Sequence, residues 1–261
     1  MKIAILYICT GKYNQFFEGF YLSCEKFFLV GKAKKKYFVW TDDNSIGERK
    51  NNVHVIRKEC AGFPADSLFR FEMYLQVEEE LKSYDYIYFF NANAEFLHPV
   101  NEELLPDETG LAMGVWGGKV AERHPMFYPY ERNKKSHAYI APYEKDYKPF
   151  MGGLNGGTAT AYLAMCNELA KNIRDDYNRG IIAIAHDQSH INAYLRKHPC
   201  KVIVPEYCWP EEWTPKGFVP KIIFRDKTRV DSYFNKGRKH GFLAKIRKGY
   251  MYFKNAILWY L

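Results

Sequence analysis

Residues 85–96 read DYIYFFNANAEF: five aromatic or aliphatic positions in a row, then Asn91-Ala92-Asn93. A short, unbroken apolar run bounded by turn-forming residues is the pattern of a strand buried on both faces. The same pattern recurs outward from it. Residues 2–9 form another apolar run leading into the turn CTGKY, and helical spacing follows over 15–29. Residues 35–43 and 53–58 read as further strands, and Leu68, Phe71, Leu75 and Leu81 predict a helix over 66–83. Strand, helix, strand, strand, helix, strand is the alternation of an α/β domain. In such sheets ligands bind beyond the C-terminal ends of strands, where both CTGKY and Asn91-Ala92-Asn93 fall. Asparagine also ends strands and caps turns routinely, so the pair alone does not define a site.

Composition narrows the function classes. The 261 residues are 47% hydrophobic and 26% charged, as expected of a soluble globular domain. A net charge of +8 points to an anionic partner: nucleic acid, a phosphorylated substrate or an acidic membrane surface. Lys and Arg are scattered except near the C-terminus, and no RNA-binding signature occurs, so nucleic acid is not expected. Six cysteines at 9, 24, 60, 166, 200 and 208 form no CxxC pair and no zinc-like spacing. A disulfide framework is not expected, and a reducing cytoplasm fits. The N-terminal apolar run is too short for a membrane span.

Downstream, residues 117–149 are rich in Gly, Pro, Tyr and Lys with little periodicity, as in a disordered stretch or a functional lid. FMGGLNGGT (150–158) is a glycine-rich passage into a helix over 158–172, fitting neither phosphate-loop pattern. AHDQSHINAYL opens another helix with Asp187 as its expected N-cap. His186 and His190 stand one turn apart, as in zinc proteases, but Asp187 replaces the glutamate base and no third ligand is placed. Residues 236–261 read as a basic amphipathic helix appended to a catalytic domain of residues 1–235, suited either to an anionic membrane surface or to docking on the body.

YICTGKY, VWTDD, DYIYFFNANAEF, GGLNGGT, HDQSHINAYL and PEYCW occur here in one order. Together they resemble glycosyltransferase family 6, the family of the blood-group A and B transferases, the α1,3-galactosyltransferases and their bacterial relatives. The resemblance runs from residue 1 to about residue 230. It implies a GT-A fold, a mixed and mostly parallel sheet flanked by helices. It also implies retaining transfer of N-acetylgalactosamine or galactose from the UDP sugar to galactose-terminated glycans, fucosylated ones included. Ile8, Cys9, Thr10 and Tyr13 match the family's uridine pocket, and Asp42 and Arg70 match further nucleotide contacts. Asn91 and Asn93 stand where animal members carry a manganese-binding D-x-D; the bacterial branch, with N-A-N, works without metal. Neutral amides bind a divalent cation far more weakly than carboxylates, so no cofactor is expected. Arg225, Lys227, Lys236 and Arg238 match the basic C-terminal region that closes on the donor, and would neutralise the diphosphate.

Met151, Gly152 and Gly153 match the segment that selects the donor sugar, with Gly153 leaving room for an acetamido group and Met151 being the galactose-like choice. His186 and Asp187 match sugar-binding positions, Trp209 an acceptor-side aromatic, and Tyr130 and Arg132 fall in the expected lid. Gln188 departs from the pattern, because the family places a glutamate beneath the anomeric carbon. An amide cannot act as nucleophile, and losing one preorganised stabilising group lowers rates on the order of 10² to 10³. An engineered trap, a natural route assisted by the leaving phosphate, and a sugar-nucleotide-binding protein without turnover are all compatible with that change. The missing signal anchor implies a bacterial protein, cytoplasmic or peripheral on the inner face of the membrane, acting on a lipid-linked acceptor.

Overall fold

A computed structural model of the protein describes residues 1–48 and 50–235, together with positions 246, 249, 250, 253, 254, 257, 259 and 260 of the tail. The strands are β1 (Lys2–Ile8), β2 (Lys34–Thr41), β3 (Val53–Arg57), β4 (Tyr86–Phe90), β5 (Ala94–Phe96), β6 (Leu111–Val115), β7 (Phe150–Thr158), β8 (Lys201–Ile203), β9 (Trp209–Pro210) and β10 (Ile222–Phe224). Seven form the central sheet in the order β3-β2-β1-β4-β7-β6-β8. β7 runs antiparallel to β4 and β6, and every other pairing is parallel. β5, β10 and β9 make a small second sheet. This is the mixed, mostly parallel α/β architecture, flanked by helices, that the sequence resemblance implies.

Alternation along β1 explains the layers. Ile3, Ile5 and Tyr7 pack with Phe17 and Phe20 of helix Phe17–Phe27, whereas Ala4 and Leu6 pack on the other face with Phe71, Tyr74 and Tyr162. Both faces are covered, which is why β1 and β4 read as unbroken apolar runs.

Several expectations are corrected by the structure. The stretch 66–83 is not one helix but three short ones, Ala65–Leu68, Arg70–Leu75 and Glu78–Leu81. Phe69 and Val77 sit near ψ 16° and 24°, outside the helical well, yet Leu68, Phe71 and Leu81 stay buried. FMGGLNGGT is β7, an interior strand of the central sheet. Its glycines make room: a Cβ on Gly156 would lie 2.3 Å from Tyr88 Cδ1. Asp187 is the first helical residue rather than the cap; His186 holds the N-cap position at φ 52°. Residues 117–149 are ordered, and Tyr128, Tyr130 and Ile140 build a third small core around Trp259 of the tail. No helix among the described residues is long and apolar enough to cross a membrane.

Candidate active site

The parallel strands β1, β4 and β6 all end at one edge of the sheet, and β7, running the other way, begins there. At that edge lies a cavity of about 680 Å³, the size of a small-ligand site. Ile8, Thr10, Tyr13, Arg70, Asn91 and Asn93 line it, as do Met151, Gly152, Gly153, His186, Asp187, Gln188, Arg225 and Lys227. Fourteen positions singled out in the sequence, drawn from residues 8 to 227, therefore surround one space.

The turn after β1 is fixed by Asp42. Its carboxylate accepts from Gly11 N at 2.9 Å and from Asn14 Nδ2 at 2.9 Å. Partial desolvation pushes this carboxyl up, but the bonds from Asn14 and Gly11 outweigh it and hold Asp42 below the usual carboxylate range. Asp42 thus shapes the turn from behind and is not part of the cavity wall. Cys9 also faces away: it is buried in the core, and burial pushes its thiol up to about 12.

Lys227 Nζ donates to the Tyr13 hydroxyl at 3.2 Å and lies over that ring. Phe234 packs against Tyr13 and Phe16, with ring centroids 5.0 and 5.9 Å away. Lys12 pairs with Asp231 at 3.5 Å. The segment after β10 therefore folds back over the exit of β1. Lys236 and Arg238 lie outside the described residues.

The asparagine turn is internally bonded. Asn91 Nδ2 donates to Asn93 Oδ1 at 2.7 Å, and Asn93 Nδ2 donates to Arg225 O at 2.7 Å. Arg225 N returns a bond to Asn93 O. That leaves Asn91 Oδ1 as the side-chain oxygen of this turn without a donor among the described residues, and the nearby Glu95 carboxylate is engaged by Arg225 Nη1 at 2.6 Å. One neutral amide oxygen does not fit a divalent cation, which takes several oxygens and favours charged ones. Arg225 also reaches Glu211 at 3.6 Å, so its charge is already matched. Lys227 is the cation beside the turn whose bonding is to a neutral phenol.

Opposite stands the N-terminus of helix Asp187–Tyr194. Asp187 pairs with Arg70 at 3.0 Å, both side chains being nearly inaccessible to solvent. Burial outweighs the pull of Arg70 and holds the Asp187 carboxyl above the usual carboxylate range, while Arg70, beside that carboxylate, keeps its proton. Arg70 Nη1 donates to Gly152 O at 2.8 Å, whereas Nε and Nη2 make no aligned hydrogen bond. Gln188 Nε2 donates to Phe150 O at 3.0 Å, and Asn192 Nδ2 donates to the same oxygen at 2.9 Å. The atom that Gln188 can offer a ligand as acceptor is Oε1.

Gly152 and Gly153 provide space at this wall. A Cβ on Gly152 would sit 3.0 Å from Asp187 Oδ2, and one on Gly153 3.0 Å from Phe224 Cζ. His186 packs edge-on against Phe63 with centroids 4.7 Å apart, and burial lowers its pKa. Its left-handed φ of 52° is uncommon for a side-chain-bearing residue and sits at the cavity wall, where strained backbone often marks function. His190 faces Asp176 in the interior instead. Among the described residues, the one grouping with metal-ligand geometry is His137, Asp175 and Asp176. Arg179 reaches both carboxylates there, so an ion-pair network already occupies it.

Three acceptor-side positions fall elsewhere. Trp209 is buried, donating from Nε1 to Trp213 O at 2.8 Å and packing edge-on against Trp213 and Phe218. Tyr130 donates to Lys148 O and packs on Trp259, and Arg132 lies over that same indole. The tryptophans that do reach the cavity are Trp116 and Trp213, their centroids 6.0 Å apart. Trp116 follows β6 directly, so the rule that drew attention to Asn91 applied to it as well. Phe63 and Phe234 were missed too; neither stands at the end of a recognisable element.

The sequence profile of glycosyltransferase family 6 matches residues 1–229. The chain is 35% identical over 239 residues to the O-antigen biosynthesis glycosyltransferase WbnI of Escherichia coli, covering 90% of this chain and 99% of that protein. It is 29% identical to the rat histo-blood group ABO system transferase 1, covering 80% of this chain and 61% of the relative. With the human globoside alpha-1,3-N-acetylgalactosaminyltransferase 1 it shares 26%, covering 81% and 62%. It spans nearly all of the bacterial relative and about three-fifths of the two mammalian ones. The profile match over most of the chain, with the cavity its motifs enclose, makes this protein a glycosyltransferase that belongs to family 6.

Proposed function

We propose that the protein is a retaining α1,3-glycosyltransferase that moves N-acetylgalactosamine, or galactose, from its UDP sugar to a galactose-terminated glycan without a metal. One observation carries this reading: the turn after β1, the asparagine turn after β4, Gly152-Gly153 and His186-Asp187-Gln188 enclose a single cavity. The uridine end is the β1 exit with Thr10 and Tyr13. The diphosphate lies between there and Asn91, with Lys227 supplying positive charge in place of a metal. Gly152 and Gly153 leave room for the sugar beside Asp187, whose carboxylate and partner Arg70 bind its hydroxyls. Trp116 and Trp213 stack on the acceptor, replacing Trp209 in that role.

Gln188 Oε1 directs the negative end of an amide dipole towards the anomeric carbon. The leaving phosphate oxygen takes the proton of the acceptor hydroxyl, which attacks from the face being vacated, so configuration is retained. A protein that binds the donor without turnover is the second reading, and Gln188 is the feature behind it. The Phe150 carbonyl receives the amide of Gln188 in a way that no carboxylate could, so the site is built around an amide under either reading. The test is calorimetric titration and turnover with UDP-N-acetylgalactosamine and UDP-galactose, in excess EDTA and then with manganese. Binding and transfer unaffected by EDTA support the reading; binding that requires manganese refutes its metal-free part; binding without transfer favours the second reading.

A further inference from the structure

The described tail residues are helical and show two different faces. Trp259 points inward. It is buried, donates from Nε1 to Ile140 O at 2.7 Å, and packs against Tyr130 and Tyr147 with centroids 6.2 and 5.6 Å away. Ile246, Tyr250, Phe253 and Ile257 are instead 43% to 65% exposed. At about 100° per residue, these four fall within roughly 60° of arc, and Trp259 lies about 200° round from Ile257. One face anchors the helix to the body while the other holds an apolar stripe in solvent. Tyr143, 77% exposed, continues the stripe through its contact with Tyr260 at 5.1 Å.

We infer that this outward face is the protein's binding surface for an anionic lipid bilayer, with the helix lying flat and Trp259 clamping it to the catalytic body. Charge selects the occupant. Seven Lys and Arg and no Asp or Glu follow residue 235, and Lys254 stands exposed beside the stripe. An apolar face with Lys254 beside it, in a segment whose charged residues are all cations, matches the boundary between acidic headgroups and acyl chains. A second copy of the chain would bring the same seven cations against these seven and is disfavoured. The inference gives the glycosyl-transfer reading a place of action but does not depend on it.

Co-sedimentation of the full chain with phosphatidylcholine vesicles, and with the same vesicles carrying phosphatidylglycerol, tests it. Binding should be at least about tenfold tighter to the anionic vesicles and should weaken as salt screens the charge. The variant Tyr250→Asp, Phe253→Asp, Ile257→Asp should lose about a hundredfold in vesicle binding. Because all three side chains are exposed, its thermal unfolding and its turnover on a soluble acceptor should match the parent. A parent that stays in the supernatant with both vesicles overturns the inference. So does a variant that binds as well as the parent, or a parent dimer that the variant dissolves while neither sediments. Absence of turnover in both proteins would count against the proposed reaction alone, leaving the vesicle result to decide the surface.

Discussion

Strand β7 carries two pairs of glycines, and the two ends of the strand use them differently. At its inner end, a Cβ on Gly156 would lie 2.8 Å from Ile87 O as well as against the Tyr88 ring, and one on Gly157 would lie 2.4 Å from Gly110 O. Backbone stands in the way there. At the cavity end, the atoms nearest to Gly152 and Gly153 belong to side chains, Asp187 and Phe224, at 3.0 Å. The neighbouring helix Asp187–Tyr194 is divided the same way. Asp187 and Gln188 face the cavity, while His190 and Asn192 are buried and Asn192 binds Phe150 on both N and O. One end of each element is closed by packing, and the other is kept open for a ligand.

The sharpest way to break that division is Gly156→Ala. The methyl group must displace Tyr88, whose hydroxyl is held by Leu104 O at 2.7 Å in the core. Overpacking of this kind costs about 3 kcal/mol or more. Denaturant unfolding should show the loss, and an unchanged midpoint would mean that β7 is not packed as described. His190 tests the closed end of the helix. Burial is the main cause that lowers its pKa, from 6.5 to about 4, with Asp176 opposing and His137 assisting. The unfolded chain therefore binds the extra proton first as the solution is acidified. Stability from this group is fully present above pH 6.5 and is lost as pH falls towards 4. The loss is roughly 3 kcal/mol, and the unfolding temperature of His190→Gln should fall less steeply over that window.

What could be read in the sequence follows the same division. Buried parallel strands announce themselves by composition, so β1 and β4 and the turns that end them were legible. β7 was not, because four glycines in nine residues oppose strand propensity, and what requires one of them, Gly156, is the bulk of Tyr88 on the next strand. The tryptophan of PEYCW matches a sugar platform in the sequence, yet its indole is held inward by the backbone carbonyl of Trp213. No spacing in the chain tells which of two nearby tryptophans faces a cavity. Trp259 likewise gave no sign that it would close the core around Tyr130, since its socket lies 119 residues upstream at Ile140.

Gln188→Glu asks whether the open end of the helix is built around an amide. A carboxylate there would face Phe150 O without a proton to donate and would cost about 1–3 kcal/mol. We expect a lower unfolding midpoint and no gain in transfer beyond about tenfold. A gain of a hundredfold or more would identify Gln188 as a replaced glutamate and return the chemistry to the usual carboxylate.

The smallest effect on stability, and the finest on function, belongs to Gly153→Ala. The added methyl group meets the ring edge of Phe224 at 3.0 Å and the Asn91 Cβ at 3.5 Å. An aromatic ring at a cavity wall can shift by a few tenths of an ångström, so the fold should lose less than about 1 kcal/mol. The same methyl group narrows the space assigned to the acetamido group. Discrimination by a single methyl is worth about 1–3 kcal/mol, so the ratio of kcat/KM for UDP-N-acetylgalactosamine over UDP-galactose should fall by about tenfold or more. Gly152→Ala is the control on the same wall. Its Cβ meets Asp187 Oδ2, so it should slow transfer from both donors alike and leave that ratio unchanged. If instead Gly153→Ala slows both donors equally, the sugar lies elsewhere in the cavity and the open end of β7 serves the diphosphate.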